Sequence, residues 1–415
     1  MKLQDTNFIK LTSKAIIQDT SDDGHFLSAD WEKVYELACR NTLAGVTYDV
    51  AKAQSSLPEE LRKRWDFFRF QIFVRQKKHF HALIDLIREI ESSGIDYAIF
   101  KGIVVADCYP NPAYRPSSDS DILVDSGDAA AVCAMIEKRG YVKNEHKTKE
   151  HVFVYENETT GHMIELHTTV YEDYEGQKID KLKAADLESP SKRITVEVDG
   201  EKVRTFGHNE HLVYQMFHII KHFMLEGASV RFFTDITLFV NRHFDELSKD
   251  YFWQMMDKLN YGFFCENFLG ICVEYFGMNP AFTEGRKPKA SKEVLEAMIV
   301  DFIYKGDEAQ LRSEDWQLTT TLEPYLVGNL TSVNGSKSGR IIRFLFPKAE
   351  ELGERYVYAK ENPLLLPIAW IHRFGYKAIW SLFQKEEGQY SATEKMIVVE
   401  NRLGLMSSVG LLDEE

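Results

Sequence analysis

YRPSSDSDILVD, residues 114–125, places two carboxylates, Asp119 and Asp121, one residue apart at the mouth of an apolar run. Side chains alternate faces along a strand, so Asp119, Asp121 and Leu123 fall on one side and Ser120, Ile122 and Val124 on the other. The two anions then lie about 6–7 Å apart. Like charges so placed repel, and enclosing them raises one pKa unless a cation compensates. Two readings are open: a solvated strand end, or a pair that holds a hard divalent ion. Mg2+ takes oxygen ligands, commonly one or two protein carboxylates with substrate phosphates, and a D-x-D strand end suits it.

A later stretch, HMIELHTTV (162–170), tips the balance. Alternation puts Met163, Glu165 and His167 on one face, with Ile164 and Leu166 turned to apolar surroundings. If the two strands are neighbours, Asp119, Asp121 and Glu165 converge on one point able to hold one or two divalent ions. Upstream, IDYAIF (95–100) reads as a strand ending at Lys101–Gly102. Glycine admits close backbone approach, a strand-to-helix turn directs N–H groups at an anion, and Lys101 adds a point charge. Arg115 brings a planar fork to the same anion. Carboxylates for metal beside cations for phosphate is the pattern of phosphoryl or nucleotidyl transfer.

Outward from this centre, the first hundred residues read as mostly helical, with HFHALIDLIREIESSG (79–94) carrying apolar residues at helical spacing up to its Ser-Ser-Gly stop. DSGDAAAVCAMIEKRG reads as a capped helix, HVFVYE (151–156) and HMIELHTTV as strands, and ITVEVDGEKVRTF (194–206) as a hairpin turning at Asp199–Gly200. Helical texture resumes beyond Gly207. The expected fold is α+β: N-terminal helices over 1–94, a small mixed-sheet core over 95–206, and a C-terminal helical domain over 207–415.

The chain has 415 residues, 27% charged and 44% hydrophobic, ordinary for a globular protein. Its net charge of −14 argues against broad electrostatic binding of nucleic acid or anionic lipid. Five cysteines without a CxxC pair imply neither a disulfide framework nor a zinc ribbon. With no apolar signal-like start and no run long enough to span a bilayer, a cytoplasmic location is expected. PLLLPIAWIHRFGYKAIWSLF (363–383) is interrupted by His372, Arg373 and Lys377 and reads as a helix docked on the protein body rather than on a membrane surface. TSVNGSKSGR (331–340) lacks the spacing of a phosphate loop and reads as a polar loop.

FKG, an intervening dozen or so residues, R-x-x-x-D-x-D-I-L-V and then I-E-L-H resemble the nucleotidyltransferase superfamily built on a DNA polymerase β-like core. Within it the chain is similar to a bacterial family of uncharacterised nucleotidyltransferases, over about residues 80–375, including His222 and Asp235, RFLFP (343–347) and PLLLPIAWIHR (363–373). Where that superfamily usually has Gly-Gly or Gly-Ser, this chain has Lys101–Gly102. The resemblance implies transfer of an NMP from an NTP to a hydroxyl acceptor, a small molecule or a protein, with Mg2+ or Mn2+ on Asp119, Asp121 and Glu165. Lys101, Gly102 and Arg115 would then bind the nucleotide, while His167, His222, Arg231 and Asp235 shape the acceptor pocket. The competing reading is a non-catalytic nucleotide-binding or regulatory module. His208, His211, His218 and His222 fall within one helical sector, but a cleft-lining role for His222 is favoured over a zinc site along that row.

Overall fold

The computed structural model describes residues 1–171, 182–183, 185–225, 227–304, 356, 358–359, 362–372, 402 and 404–411. Four N-terminal helices come first, α1 (Leu3–Ile16), α2 (Trp31–Arg40), α3 (Ala44–Ala53) and α4 (Glu59–Ser92). The Asp30 side chain caps α2 by accepting the Lys33 N–H. Helix α4 begins after Pro58 with Glu59 and Glu60 in its first turn, where carboxylates oppose the positive end of the helix dipole. It stops at Gly94, whose φ of +73° reverses the chain.

The sheet follows: β1 (Tyr97–Phe100), a short helix α5 (Gly102–Ala106), β2 (Asp119–Val124), α6 (Ala129–Lys138), β3 (Val142–Lys143), β4 (Val152–Asn157) and β5 (His162–His167). Its strand order is β1-β2-β5-β4-β3. β2 and β5 run parallel, and the other neighbouring pairs are antiparallel, so the sheet is mixed. A separate hairpin of β6 (Ile194–Val198) and β7 (Glu201–Thr205) turns at Asp199–Gly200, both at positive φ. That is the twist a two-residue hairpin loop prefers.

One sheet face carries Ile99, Ile122, Val124, Ile164 and Leu166, packed against Leu83, Ile84, Ile87 and Ile90 of α4 and Val132 and Ile136 of α6. This apolar layer fixes the register, because a one-residue slip of β2 would bury Asp119 and Asp121 in it. The opposite face carries Phe100, Asp121 and His167; Phe100 packs on Phe206 and Tyr214 at ring-centroid distances of 5.1 and 5.2 Å. Beyond the hairpin lie α7 (His208–Leu225), α8 (Arg231–Arg242), α9 (Lys249–Lys258), α10 (Gly262–Phe276) and α11 (Lys292–Ile303). Phe233 anchors them, stacking on Phe268 and Phe276 at 4.6 and 5.4 Å.

The α+β class expected from the sequence is therefore what the structure has. The chain falls into two compact units, one of Met1–Phe223 with Gly227–Gly306, the other of Met224–Glu226 with Asp307–Glu415. In the second, Tyr356, Ala359 and Ala369 form a small buried cluster. Residues 331–340, 343–347 and 373–383, singled out above, lie outside the described residues. The five cysteines are free, and among the described residues no helix is long and apolar enough to cross a membrane.

Candidate active site

The parallel pairing of β2 with β5 sets Asp121 opposite Glu165 and Asp119 opposite Met163. Asp121, Glu165 and His167 each offer a ligand atom, all within 4.8 Å of one another. Asp119 stands outside that group, two residues along the strand, where its Oδ1 accepts the Ser117 hydroxyl at 2.7 Å. The point of convergence is thus two carboxylates and an imidazole, not three carboxylates. Glu165 is paired directly with the second aspartate of the D-x-D, while Asp119 is paired with Met163 and turns to the Ser117 hydroxyl.

Asp121 is 1% exposed. Burial by itself would raise its pKa, but the ammonium of Lys101 (Nζ–Oδ1 2.7 Å) and the His167 ring (Nε2–Oδ1 3.2 Å) hold it down at about 2. Reciprocally, burial opposes the charged forms of Lys101 and His167, yet the carboxylates raise both pKa values. His167 also reaches Glu165, at 3.6 Å. Lys101 therefore supplies the positive charge that an isolated carboxylate pair would require of an ion, and the His167 ring bridges both carboxylates. The Lys101 ammonium lies 5.3 and 5.6 Å from the rings of Phe100 and Tyr214, which add cation–π attraction.

Lys101 itself is strained. Its φ of 57° and ψ of −130° lie in a region an L-residue rarely adopts, at a cost on the order of 1–3 kcal/mol. The turn is held by its N–H, which donates to His211 Nε2 at 3.0 Å, and by the ion pair to Asp121. Burial and the nearby His208 and His243 rings keep His211 neutral, with a pKa of about 3, so the ring can accept that hydrogen bond. Gly102 follows at φ +26°, another position that favours glycine.

Arg115 was expected to reach an anion. Its guanidinium instead grips Asp235 with Nε and Nη2 at 2.7 and 2.8 Å, and Nη1 donates to the Gly102 carbonyl at 3.2 Å. Both partners are 5% exposed, and Tyr109 adds a hydroxyl to Asp235 at 2.6 Å. A buried fork finds its counter-charge inside the protein, because an unpaired one would be too costly. Arg115 and Asp235, assigned to separate roles by sequence, act as one strut between the Lys101–Gly102 turn and α8.

Lys101, Gly102, Arg115, Ser117, Asp119, Asp121, Gln215, His218, Arg231 and Asp235 line an open cleft. Arg231 donates Nη1 to the Pro116 carbonyl at 2.8 Å. The buried Gln215 Nε2 has no hydrogen-bond partner among the described residues. A donor so enclosed beside a cleft calls for an acceptor from water or a ligand. Sequence reasoning missed Ser117, Tyr214 and Gln215, whose residue types carry no motif, and named His211 only in the histidine row, not as the acceptor of the Lys101 N–H. His222 packs edge-on to His218 at 4.3 Å and is outside the cleft lining. The histidine row does not share one ligand: His208 bonds Glu246 while His211 holds Lys101.

The fold and site define an α+β protein whose mixed sheet presents buried carboxylates and cations to a cleft. The chain belongs to the family of uncharacterised nucleotidyltransferases, whose profile matches residues 28–277, a span that includes every residue of this cleft. Among solved structures it is similar to an antigenic nucleotidyltransferase-like protein from Paracoccidioides brasiliensis, at 18% identity over 40% of this chain and 77% of that one, with a TM-score of 0.29. No curated protein matches.

Proposed function

We propose that this protein moves an NMP from an NTP to a hydroxyl acceptor, a small molecule or a protein, with release of pyrophosphate, by the two-metal chemistry of the DNA polymerase β-like superfamily. The observation that carries the reading is the register that sets Asp121 beside Glu165, with Asp119 on the same face of the cleft. The donor set fits a hard divalent ion: the carboxylates of Asp121 and Glu165 converge, with oxygen ligands of the kind such an ion takes. Asp121 and Glu165 would hold Mg2+ or Mn2+, with Asp119 a further ligand. Bound there, the metal neutralises phosphate charge and lowers the pKa of the acceptor hydroxyl.

The chain's own residues do the rest. Lys101 lines the same cleft as Arg231 and Gln215 and would pair with a phosphate oxygen. Arg231 and Gln215 donate to phosphate oxygens, and Arg115 keeps the Gly102 backbone in place by its bond to the Gly102 carbonyl. Glu165, the more exposed carboxylate of the pair at 27%, accepts the acceptor's proton. His167 orients both carboxylates, and Arg231 and Asp235, which line the cleft from α8, bound the acceptor side, with His222 one turn beyond His218 on α7. In this reading residues 95–206 are the catalytic module.

One observation favours a second reading, a nucleotide-binding or regulatory module. Lys101 already sits on Asp121 at 2.7 Å, so the site is charge-balanced without metal. Incubation with α-labelled NTPs, Mg2+ and cell extract separates the two. Label that becomes covalently attached to an acceptor supports transfer; NTP binding that is metal-independent and leaves no label supports the module.

A further inference from the structure

Away from the cleft, three side chains meet where α7 begins and α8 ends. His208 Nε2 and His243 Nδ1 approach the same carboxylate oxygen, Glu246 Oε2, at 2.8 and 2.9 Å. The two rings stack at 3.8 Å with planes 22° apart, so both present a nitrogen on the same side. The ligand atoms of all three lie within 4.8 Å of one another. We infer that His208, His243 and Glu246 form a binding site for one Zn2+ ion, separate from the carboxylate cleft and independent of the transfer reading.

The donor chemistry selects the ion. Two imidazoles and a carboxylate suit zinc better than Mg2+ or Ca2+, which prefer oxygen. Four-coordinate zinc with bonds near 2.05 Å needs donors about 3.3 Å apart, so the two spacings to Glu246 of 2.8 and 2.9 Å have to open by about half an ångström. Glu246 is 58% exposed, which leaves the fourth position open to water. When Nδ1 of His243 ligates, its Nε2 carries the proton, and Cys108 Sγ stands 3.9 Å away as an outer partner. The site ties the first residue of α7 to the residue after α8. His211, one turn on from His208, holds the Lys101 N–H, so zinc would stiffen the scaffold behind that turn.

The test titrates metal-stripped full-length protein with Zn2+ in excess Mg2+, which occupies oxygen-rich sites, and compares wild type with Glu246→Gln and His243→Gln. Expected are one zinc per wild-type chain, a raised melting temperature, and affinity at least about tenfold weaker in each variant, since even outer-shell changes at metal sites cost 10–100-fold. Co2+ in place of zinc should show the visible d–d bands of a four-coordinate ion. Glu246→Gln alters an exposed side chain, so it decides the matter if His243→Gln does not fold. Absence of Zn2+ binding by the wild type, or unchanged affinity in Glu246→Gln, overturns the site.

Discussion

Replacing Asp235 with alanine should destabilise this protein far more than an ordinary polar substitution. The change strands an Arg115 guanidinium that is 5% exposed, removing both of its carboxylate bonds, and takes the acceptor from the Tyr109 hydroxyl. Breaking a buried pair from one side costs about 3–5 kcal/mol, because the remaining charge is left uncompensated. With an unfolding entropy near 2 cal/mol/K per residue, a unit of this size should then melt about 5–8 °C lower. Urea unfolding of wild type, Asp235→Ala, Arg115→Met and the double variant measures the coupling directly. The double variant should be more stable than the sum of the single losses requires, since it removes both charges together. An Asp235→Ala protein within about 1 kcal/mol of wild type, or strictly additive losses, would refute the strut and return Arg115 to the ligand.

Three further outcomes follow from the same geometry. Asp121 has its carboxyl held at about 2 against an ordinary 3.8, so its stabilising contribution is full above pH 3.8 and is lost as pH falls through about 2. The stability gap between wild type and Asp121→Asn should therefore narrow from pH 5 to pH 2 in urea melts; a constant gap contradicts it. His167 has a raised pKa, so its charged form stabilises the metal-free protein below about 6.5 and that contribution fades as pH rises through the folded value. Divalent binding should consequently strengthen with pH over that window and release a proton, measurable by calorimetry in buffers of different ionisation heat, and His167→Gln should flatten the dependence. Arg231→Met and Gln215→Ala should each weaken NTP binding about tenfold or more, by about 1.4 kcal/mol at least, in fluorescence titrations; unchanged affinity in both removes them from the phosphate grip.

The elements were legible wherever one physical signal dominated. Period-two alternation marked β2 and β5, Asp199–Gly200 marked the hairpin, and the apolar spacing of 79–94 marked the end of α4. The two-residue β3 carries too little pattern to read. Within the site, the sequence brought forward Asp119, Asp121, Glu165 and Lys101 because charges flanking buried strands stand out. It could not give the register, and register decides that Glu165 meets Asp121 rather than Asp119. Nor could it show that Arg115 closes on Asp235, which is distant in sequence, or that His211 accepts from the Lys101 backbone. Those partnerships arise only when α7 and α8 pack over the sheet. Glu246 met His208 and His243 for the same reason.

Calorimetric binding of an NTP with and without Mg2+, to wild type and to a variant with Asp119→Asn and Asp121→Asn, is the most direct test of the carboxylate cleft. Wild type should bind the nucleotide tightly only with Mg2+, and the variant should lose that metal-dependent component. Equal Mg2+-dependent binding by both proteins would contradict a catalytic metal site built on these strands.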